Sequence, residues 1–218
     1  MSQNEKAFPE QMTGEVMSQP LPAMMMTIAV FVAAIGATVV AAKFIDYRKL
    51  ADLGLPMDDD WWADAGFGII LGILTIGLVF AIELSAGWLT VTGFGPAEGG
   101  ISGAGSSLLA AVVIFCSIGI YEELLSRGYQ LTNLAEGLRC PLWGRLGAVI
   151  IAVVITSAIF SVLHVANPSP SPFALVNIFL TGLLVFGPAY VLTGRLGLPV
   201  GFHVSWNFAQ SFIFGLPV

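Results

Sequence analysis

Six runs of apolar residues alternate with polar or Gly- and Pro-rich connections along the chain. Each run has about the 20 residues that an α-helix needs to cross the hydrocarbon core of a bilayer. Glycine and proline inside the runs fit this assignment, because both are more frequent in membrane helices than in soluble ones. The pattern predicts an all-α, polytopic transmembrane helical bundle of about six spanning helices, over residues 23–42, 65–88, 107–130, 145–165, 173–192 and 198–216, with a loop at 131–144.

Composition supports a membrane protein and excludes a soluble globular one. Hydrophobic residues make up 56% of the 218 residues and charged residues only 10%, whereas soluble domains carry about 25% charged residues. Most of the surface must therefore meet the lipid bilayer. The chain has no basic patch of the kind that binds nucleic acid, so we expect no nucleic-acid partner.

The chain divides into two parts of unequal size. Residues 1–22 are rich in Gln, Ser, Met and Glu and end in a proline pair, a composition that predicts a mobile N-terminal tail. Residues 23–218 are predicted to form one transmembrane domain.

The basic residues predict how the helices are oriented. All but Lys6 fall on, or beside, the connections that follow the first, third and fifth runs: Lys43, Arg48, Lys49, Arg127, Arg139, Arg145 and Arg195. Cytoplasmic loops of membrane proteins carry an excess of Lys and Arg. We therefore expect these connections to face the cytoplasm, in a multi-pass protein of the cell (inner or plasma) membrane.

The third apolar run carries three charged residues, Glu122, Glu123 and Arg127. A charge at the centre of a membrane helix costs roughly 2.5–3.5 kcal/mol on insertion scales, so such residues face the bundle interior and have partners. Glu123 and Arg127 are four residues apart, the favourable order for an ion pair on a helix. Glu122 points about 100° away and is free for another function. The alternative is that the helix leaves the membrane here and all three charges lie among the headgroups.

The two histidines of the protein lie in two other apolar runs. His164 shares a helical face with Phe160, and His203 shares one with Asn207. A buried glutamate is a plausible general base, and imidazole or amide groups can position a water or donate to an oxyanion. These residue types favour hydrolysis or a proton relay. Either histidine alone could equally be a hydrogen-bonded packing residue.

The same residues carry a resemblance to a known family. The segments EELLSRG, FSVLH and HVSWN are similar to the EExxxR, FxxxH and HxxxN motifs of the CPBP family (CAAX proteases and bacteriocin-processing enzymes, also called Abi proteins), and they occur in the family's order. Residues 47–55, YRKLADLGL, also resemble a segment that follows the first span in that family. The resemblance implies a helical intramembrane endopeptidase of the CAAX-protease type, with a polar intramembrane cavity, that cleaves a peptide or a membrane-associated protein.

The resemblance also implies a role for each motif residue. Glu122 would activate the attacking water, supported by an ion pair of Glu123 with Arg127. His164 would orient the water, and His203 and Asn207 would stabilise the oxyanion. We expect no cofactor, and the alternative is a zinc ion bound by Glu122, His164 and His203.

Two further expectations concern access and function. His164 ends one span, and His203 begins another span two helices later. Both can therefore reach one site only if a helix ends inside the bundle. We expect a polar cleft that opens toward the cytoplasm.

The alternative function is a non-catalytic membrane subunit or scaffold that keeps this fold and binds a protein partner. A small proton-coupled carrier is disfavoured because the chain shows no inverted repeat. The sequence does not determine whether the protein has a stable protein partner.

Overall fold

The computed structural model describes residues 20–91, 107–167 and 171–216, and within these ranges it contains helices and no β-strand. The α-helices are α1 (Pro20–Val40), α2 (Asp59–Ser85), α3 (Ser107–Glu123), α4 (Thr132–Gly137), α5 (Gly144–Leu163), α6 (Pro172–Thr181), α7 (Gly187–Thr193) and α8 (Gly197–Phe208). Wider π-helical turns extend α1 (Ala41–Ile45) and α8 (Ala209–Ile213), join α3 to α4 (Leu124–Leu131) and join α6 to α7 (Gly182–Phe186). Short 3₁₀ turns occur at Leu50–Leu53 and His164–Ala166.

Five continuous helices in the described residues are long and apolar enough to cross a membrane. They are Leu21–Ile45, Asp59–Ser85, Leu108–Gly137, Gly144–Ala166 and Pro172–Thr193. The sixth apolar run forms α8 and its π-helical turn, which are shorter and largely enclosed by the other helices. The predicted all-α membrane bundle is confirmed. Of the predicted N-terminal tail, residues 1–19 lie outside the described residues, and α1 begins at Pro20.

Two predicted boundaries differ from the structure. The segment 131–144 was expected to be a loop, but the third span continues through α4 to Gly137. Residues 132–137 are too polar for an apolar run, yet they contain no proline and continue the helix until a glycine. The second span begins at Asp59, six residues before its apolar run, because the Asp58 carboxylate accepts a hydrogen bond from Trp61 N (2.9 Å) and caps the helix.

α8 is held in the bundle by direct backbone contact with α2. A Cβ atom added at Gly201 would lie 2.1 Å from the carbonyl oxygen of Ala65, and one added at Gly68 would lie 2.3 Å from that of Leu198. Small residues at such crossings let membrane helices approach closely, which strengthens van der Waals packing. This contact carries the first two turns of α8, and with them His203, into the interior.

Alanine at Gly68 is expected to destabilise the bundle, whereas alanine at Gly66 is not. Forcing one carbon into the α2–α8 contact should cost about 1–3 kcal/mol, the usual range for overpacking. A Cβ at Gly66, two residues away on the same helix, meets nothing within 4 Å. Thermal unfolding of the two purified variants in the same detergent measures the difference. Equal midpoints for both variants would contradict the close α2–α8 contact.

Candidate active site

Glu123 and Arg127 form a buried ion pair where α3 passes into the π-helical turn Leu124–Leu131. Arg127 Nη1 donates to Glu123 Oε1 at 3.1 Å, and the two side chains are 1% and 0% exposed. The pair lies near the middle of the membrane-length helix Leu108–Gly137. The ion pair predicted from the spacing is present, and the alternative that these two charges lie among the headgroups is wrong.

Aromatic rings enclose the Arg127 guanidinium. Its central carbon lies 4.3 Å from the centre of the Phe160 ring and 4.8 Å from that of Phe186, at cation–π distances. A Cβ atom added at Gly182 would lie 3.0 Å from Arg127 Nη2, so the glycine leaves room for the guanidinium. Helix α5 and the π-helical turn Gly182–Phe186 thus both contact the cation.

His203 contacts both glutamates. Its Nδ1 lies 2.8 Å from Glu123 Oε1, and its Nε2 lies 3.7 Å from Glu122 Oε2. The Glu123 carboxylate, which also accepts from Arg127, is the acceptor in this contact, and His203 Nδ1 is assigned as the donor. The Phe186 ring stacks on the imidazole at 5.1 Å and 22°. These contacts fix the orientation of the ring and direct Nε2 toward Glu122.

Glu122 differs from its neighbour Glu123 in exposure. Tyr121 donates a hydrogen bond from its hydroxyl to Glu122 Oε1 at 3.1 Å. Glu122 Oε2 and Glu123 Oε2 are both buried and have no hydrogen-bond partner among the described residues, but the Glu122 side chain as a whole is 18% exposed and that of Glu123 is 0% exposed. Glu122 is therefore the more accessible carboxylate of the site.

His164 and Asn207 lie next to this cluster rather than inside it. His164 Nδ1 donates to the carbonyl oxygen of Phe160 at 2.7 Å, and its ring lies 4.6 Å from the Phe160 ring. The centre of the His203 ring lies 6.1 Å from the centre of the same Phe160 ring. Asn207 follows His203 by one helical turn, is partly exposed, and has no side-chain hydrogen bond among the described residues.

The expected conflict between the positions of the two histidines is resolved by where their helices lie. α5 ends at Leu163, so His164 is on its last turn, and α8 enters the interior within its first two turns. Both imidazoles consequently lie against the ring of Phe160.

The zinc alternative would need Glu122, His164 and His203 close together, because a zinc ion binds its nitrogen and oxygen ligands at about 2.0–2.2 Å. In the part of the chain that the structure describes, no group of three or more His, Cys, Asp and Glu side chains is placed to hold a metal ion. Whether the protein uses a metal stays a prediction.

The structure adds two residues that the sequence did not single out. Tyr121 could have been found, because a tyrosine hydroxyl inside a membrane helix needs a partner and a glutamate follows it directly. Phe186 could not, because nothing in the sequence distinguishes it among 15 phenylalanines.

A comparison with protein-family models matches residues 104–209 to the description "Type II CAAX prenyl endopeptidase Rce1-like". The match spans just under half of the chain and includes all six predicted site residues. Comparisons with curated proteins and with solved structures give no match. The family is one of membrane proteases, and the membrane-length helices make this chain a multi-pass membrane protein. Residues 104–209 therefore carry a domain that is similar to the Rce1-like type II CAAX prenyl endopeptidases, which confirms the resemblance to the CPBP family over this part of the chain.

Proposed function

We propose that the protein is an intramembrane endopeptidase in which Glu122 activates a water for attack on a peptide bond. The observation that carries this proposal is the unpartnered Glu122 Oε2, 3.7 Å from a nitrogen of His203 whose other nitrogen is held by Glu123. That separation is too long for a direct hydrogen bond. In this proposal Glu122 is the base, the attacking water contacts Glu122 Oε2, and His203 is the neighbouring donor.

His203 has a second function in this proposal, that of a hydrogen-bond donor. Its Nε2 faces the space beside Glu122. The proposal requires a proton on this nitrogen, so that Nε2–H can donate to the substrate.

The reaction follows from these positions. Glu122 takes a proton from the water while the water oxygen bonds to the carbonyl carbon of the substrate. The carbonyl oxygen becomes an oxyanion, stabilised by His203 Nε2–H and the Asn207 amide N–H. When the intermediate collapses, the C–N bond breaks and Glu122 delivers its proton to the departing amine, so the products are a carboxylic acid and an amine. The acid then passes its proton to the amine, which leaves a carboxylate and an ammonium group.

His164 orients the attacking water in this proposal. Since a carbonyl oxygen only accepts, the hydrogen bond to Phe160 O puts the proton of neutral His164 on Nδ1. Nε2 is then an acceptor for a water O–H. The proposed substrate is a peptide or a membrane-associated protein. The lipid bilayer surrounds the protein.

A proteomic comparison tests the proposal. Newly formed protein termini are mapped in membranes of cells that make the wild-type protein or the Glu122→Gln variant at equal levels. A peptidase produces at least one terminus with the wild type that is missing with the variant. Identical termini in both membranes, with the function of the protein in the cell intact in the variant, would favour the non-catalytic scaffold.

Activity is expected to be unaffected by metal chelators, because the proposed water activation uses side chains alone. Purified protein is incubated with 1,10-phenanthroline or EDTA before cleavage of an identified substrate is measured, and a known zinc peptidase in the same detergent serves as the control. Loss of cleavage that is reversed by added zinc would restore the zinc alternative.

A further inference from the structure

Tyr121 carries its hydroxyl group near the middle of the membrane-length helix Leu108–Gly137 and is half-buried. A hydroxyl without a hydrogen bond is costly in an apolar environment, so a buried tyrosine hydroxyl usually has a partner. Within the described residues the partner of Tyr121 is Glu122, whose Oε1 accepts from the hydroxyl at 3.1 Å. A phenylalanine ring would fill the same space without this cost. The contribution particular to tyrosine here is therefore its contact with the Glu122 carboxylate.

The other donors of the cluster are directed at Glu123. Arg127 Nη1 and His203 Nδ1 both contact Glu123 Oε1, at 3.1 Å and 2.8 Å. His203 Nε2 lies 3.7 Å from Glu122 Oε2, which exceeds hydrogen-bond distance. In the described part of the chain, Tyr121 is thus the one side chain that donates a hydrogen bond to Glu122.

This hydrogen bond gives the two oxygens of Glu122 different surroundings. The torsion that turns a glutamate carboxylate is broad and roughly two-fold, so a carboxylate without contacts turns freely. The bond to Oε1 restrains this rotation and keeps Oε2 on the side of His203 Nε2. Oε2 is also the oxygen of Glu122 that has no hydrogen-bond partner among the described residues.

We infer that Tyr121 is a positioning residue, which holds Glu122 by Oε1 so that Oε2 faces the attacking water. Tyr121 acts through Glu122 and contacts no substrate atom in this assignment. Its role in the reaction rests on the proposed function, whereas its contact with the carboxylate does not. Loss of the hydroxyl should consequently slow the chemical step and leave substrate binding unchanged.

The variant Tyr121→Phe removes one oxygen atom and keeps the ring. We expect kcat to fall about 10- to 100-fold, since a misplacement of about 1 Å can cost about 10², and KM to stay unchanged. The matched control is Tyr190→Phe, because the Tyr190 hydroxyl forms a hydrogen bond with Thr132 Oγ1 at 3.0 Å and the residue is 7% exposed. The control loses a bonded hydroxyl that does not contact Glu122, so both constants should equal those of the wild type. Equal kcat values for the two variants would overturn the inference.

A double-mutant cycle separates positioning from packing. If Tyr121 acts through Glu122, adding Tyr121→Phe to Glu122→Gln should change the residual kcat by less than about twofold, although the same change is large in the wild-type background. An equal loss in both backgrounds would mean that the hydroxyl serves packing alone, and would contradict the assignment.

The contact itself is tested without substrate. Protein labelled with carbon-13 at the glutamate carboxyl carbons is studied by solid-state NMR in lipid bilayers, and the signal that is missing from Glu122→Gln is that of Glu122. This signal should shift in Tyr121→Phe and stay in place in Tyr190→Phe. An unchanged signal in Tyr121→Phe would overturn the inference even if kcat falls. A wild-type protein that cleaves no peptide would instead remove the proposed function, and a shifted Glu122 signal would still support the hold of Tyr121 on this carboxylate.

Discussion

Replacing Arg127 with methionine is expected to lower the free energy of unfolding by about 3–5 kcal/mol, the usual cost of breaking a buried ion pair from one side. The variant leaves the Glu123 carboxylate fully buried with His203 as its remaining partner, and it removes the cation from between Phe160 and Phe186. Reversible unfolding in mixed micelles measures the change.

A second arginine provides the matched control. Arg195 also pairs with carboxylates, at 2.7 Å from Asp64 and 3.3 Å from Asp60, but it is 28% exposed. Exposed pairs contribute about 0–1 kcal/mol, so Arg195→Met should have a small effect. Equal losses in the two variants would mean that burial does not govern the contribution of Arg127.

A double variant separates stability from chemistry. Glu123→Gln combined with Arg127→Met removes both charges, and replacing a buried pair by neutral groups is often close to neutral in energy. We expect the double variant to recover most of the stability lost in Arg127→Met. It should remain inactive as a peptidase, because it lacks the charged carboxylate that holds His203 Nδ1 and fixes the orientation of the imidazole.

The sequence predicted the membrane bundle because hydrophobic length is a strong signal, but it did not predict how the helices end. α4 has a polar composition, and its helical state depends on continuing a helix that is already formed, not on its own apolar residues. α8 is shorter than a usual span, because glycine contacts with α2 bury its first turns in protein. Neither property can be derived from hydropathy alone.

For the site, the spacing of residues along one helix could be read from the sequence, but the contacts between different helices could not. The Glu123–Arg127 pair follows from four-residue spacing and is present in the structure. The contact of His203 with both glutamates joins residues 80 positions apart, and it depends on how deeply α8 enters the bundle. The burial of the connection between α1 and α2 was not predicted for a related reason: residues 46–57 read as a polar connection, yet Leu53 is fully buried.

Replacing Glu122 with glutamine is expected to lower kcat by about 10³, within the range of 10²–10⁴ for the loss of a general base. The amide keeps the size and the hydrogen bond to Tyr121 but cannot take a proton from water. KM should change little, because Glu122 acts on the nucleophile rather than on substrate binding, and Glu122→Asp should retain partial activity, since a displacement of about 1 Å typically costs 10².

The control for this prediction is Glu83→Gln, which removes a carboxylate from α2 outside the cluster and should leave both constants unchanged. Initial rates on a substrate from the terminal-mapping experiment measure all three variants, after unfolding curves have shown that each is folded. A Glu122→Gln protein that cleaves at more than a tenth of the wild-type rate would remove Glu122 from the role of base. That role would then have to pass to another group near the cluster, and His164, which lies beside Phe160, would be the first to test.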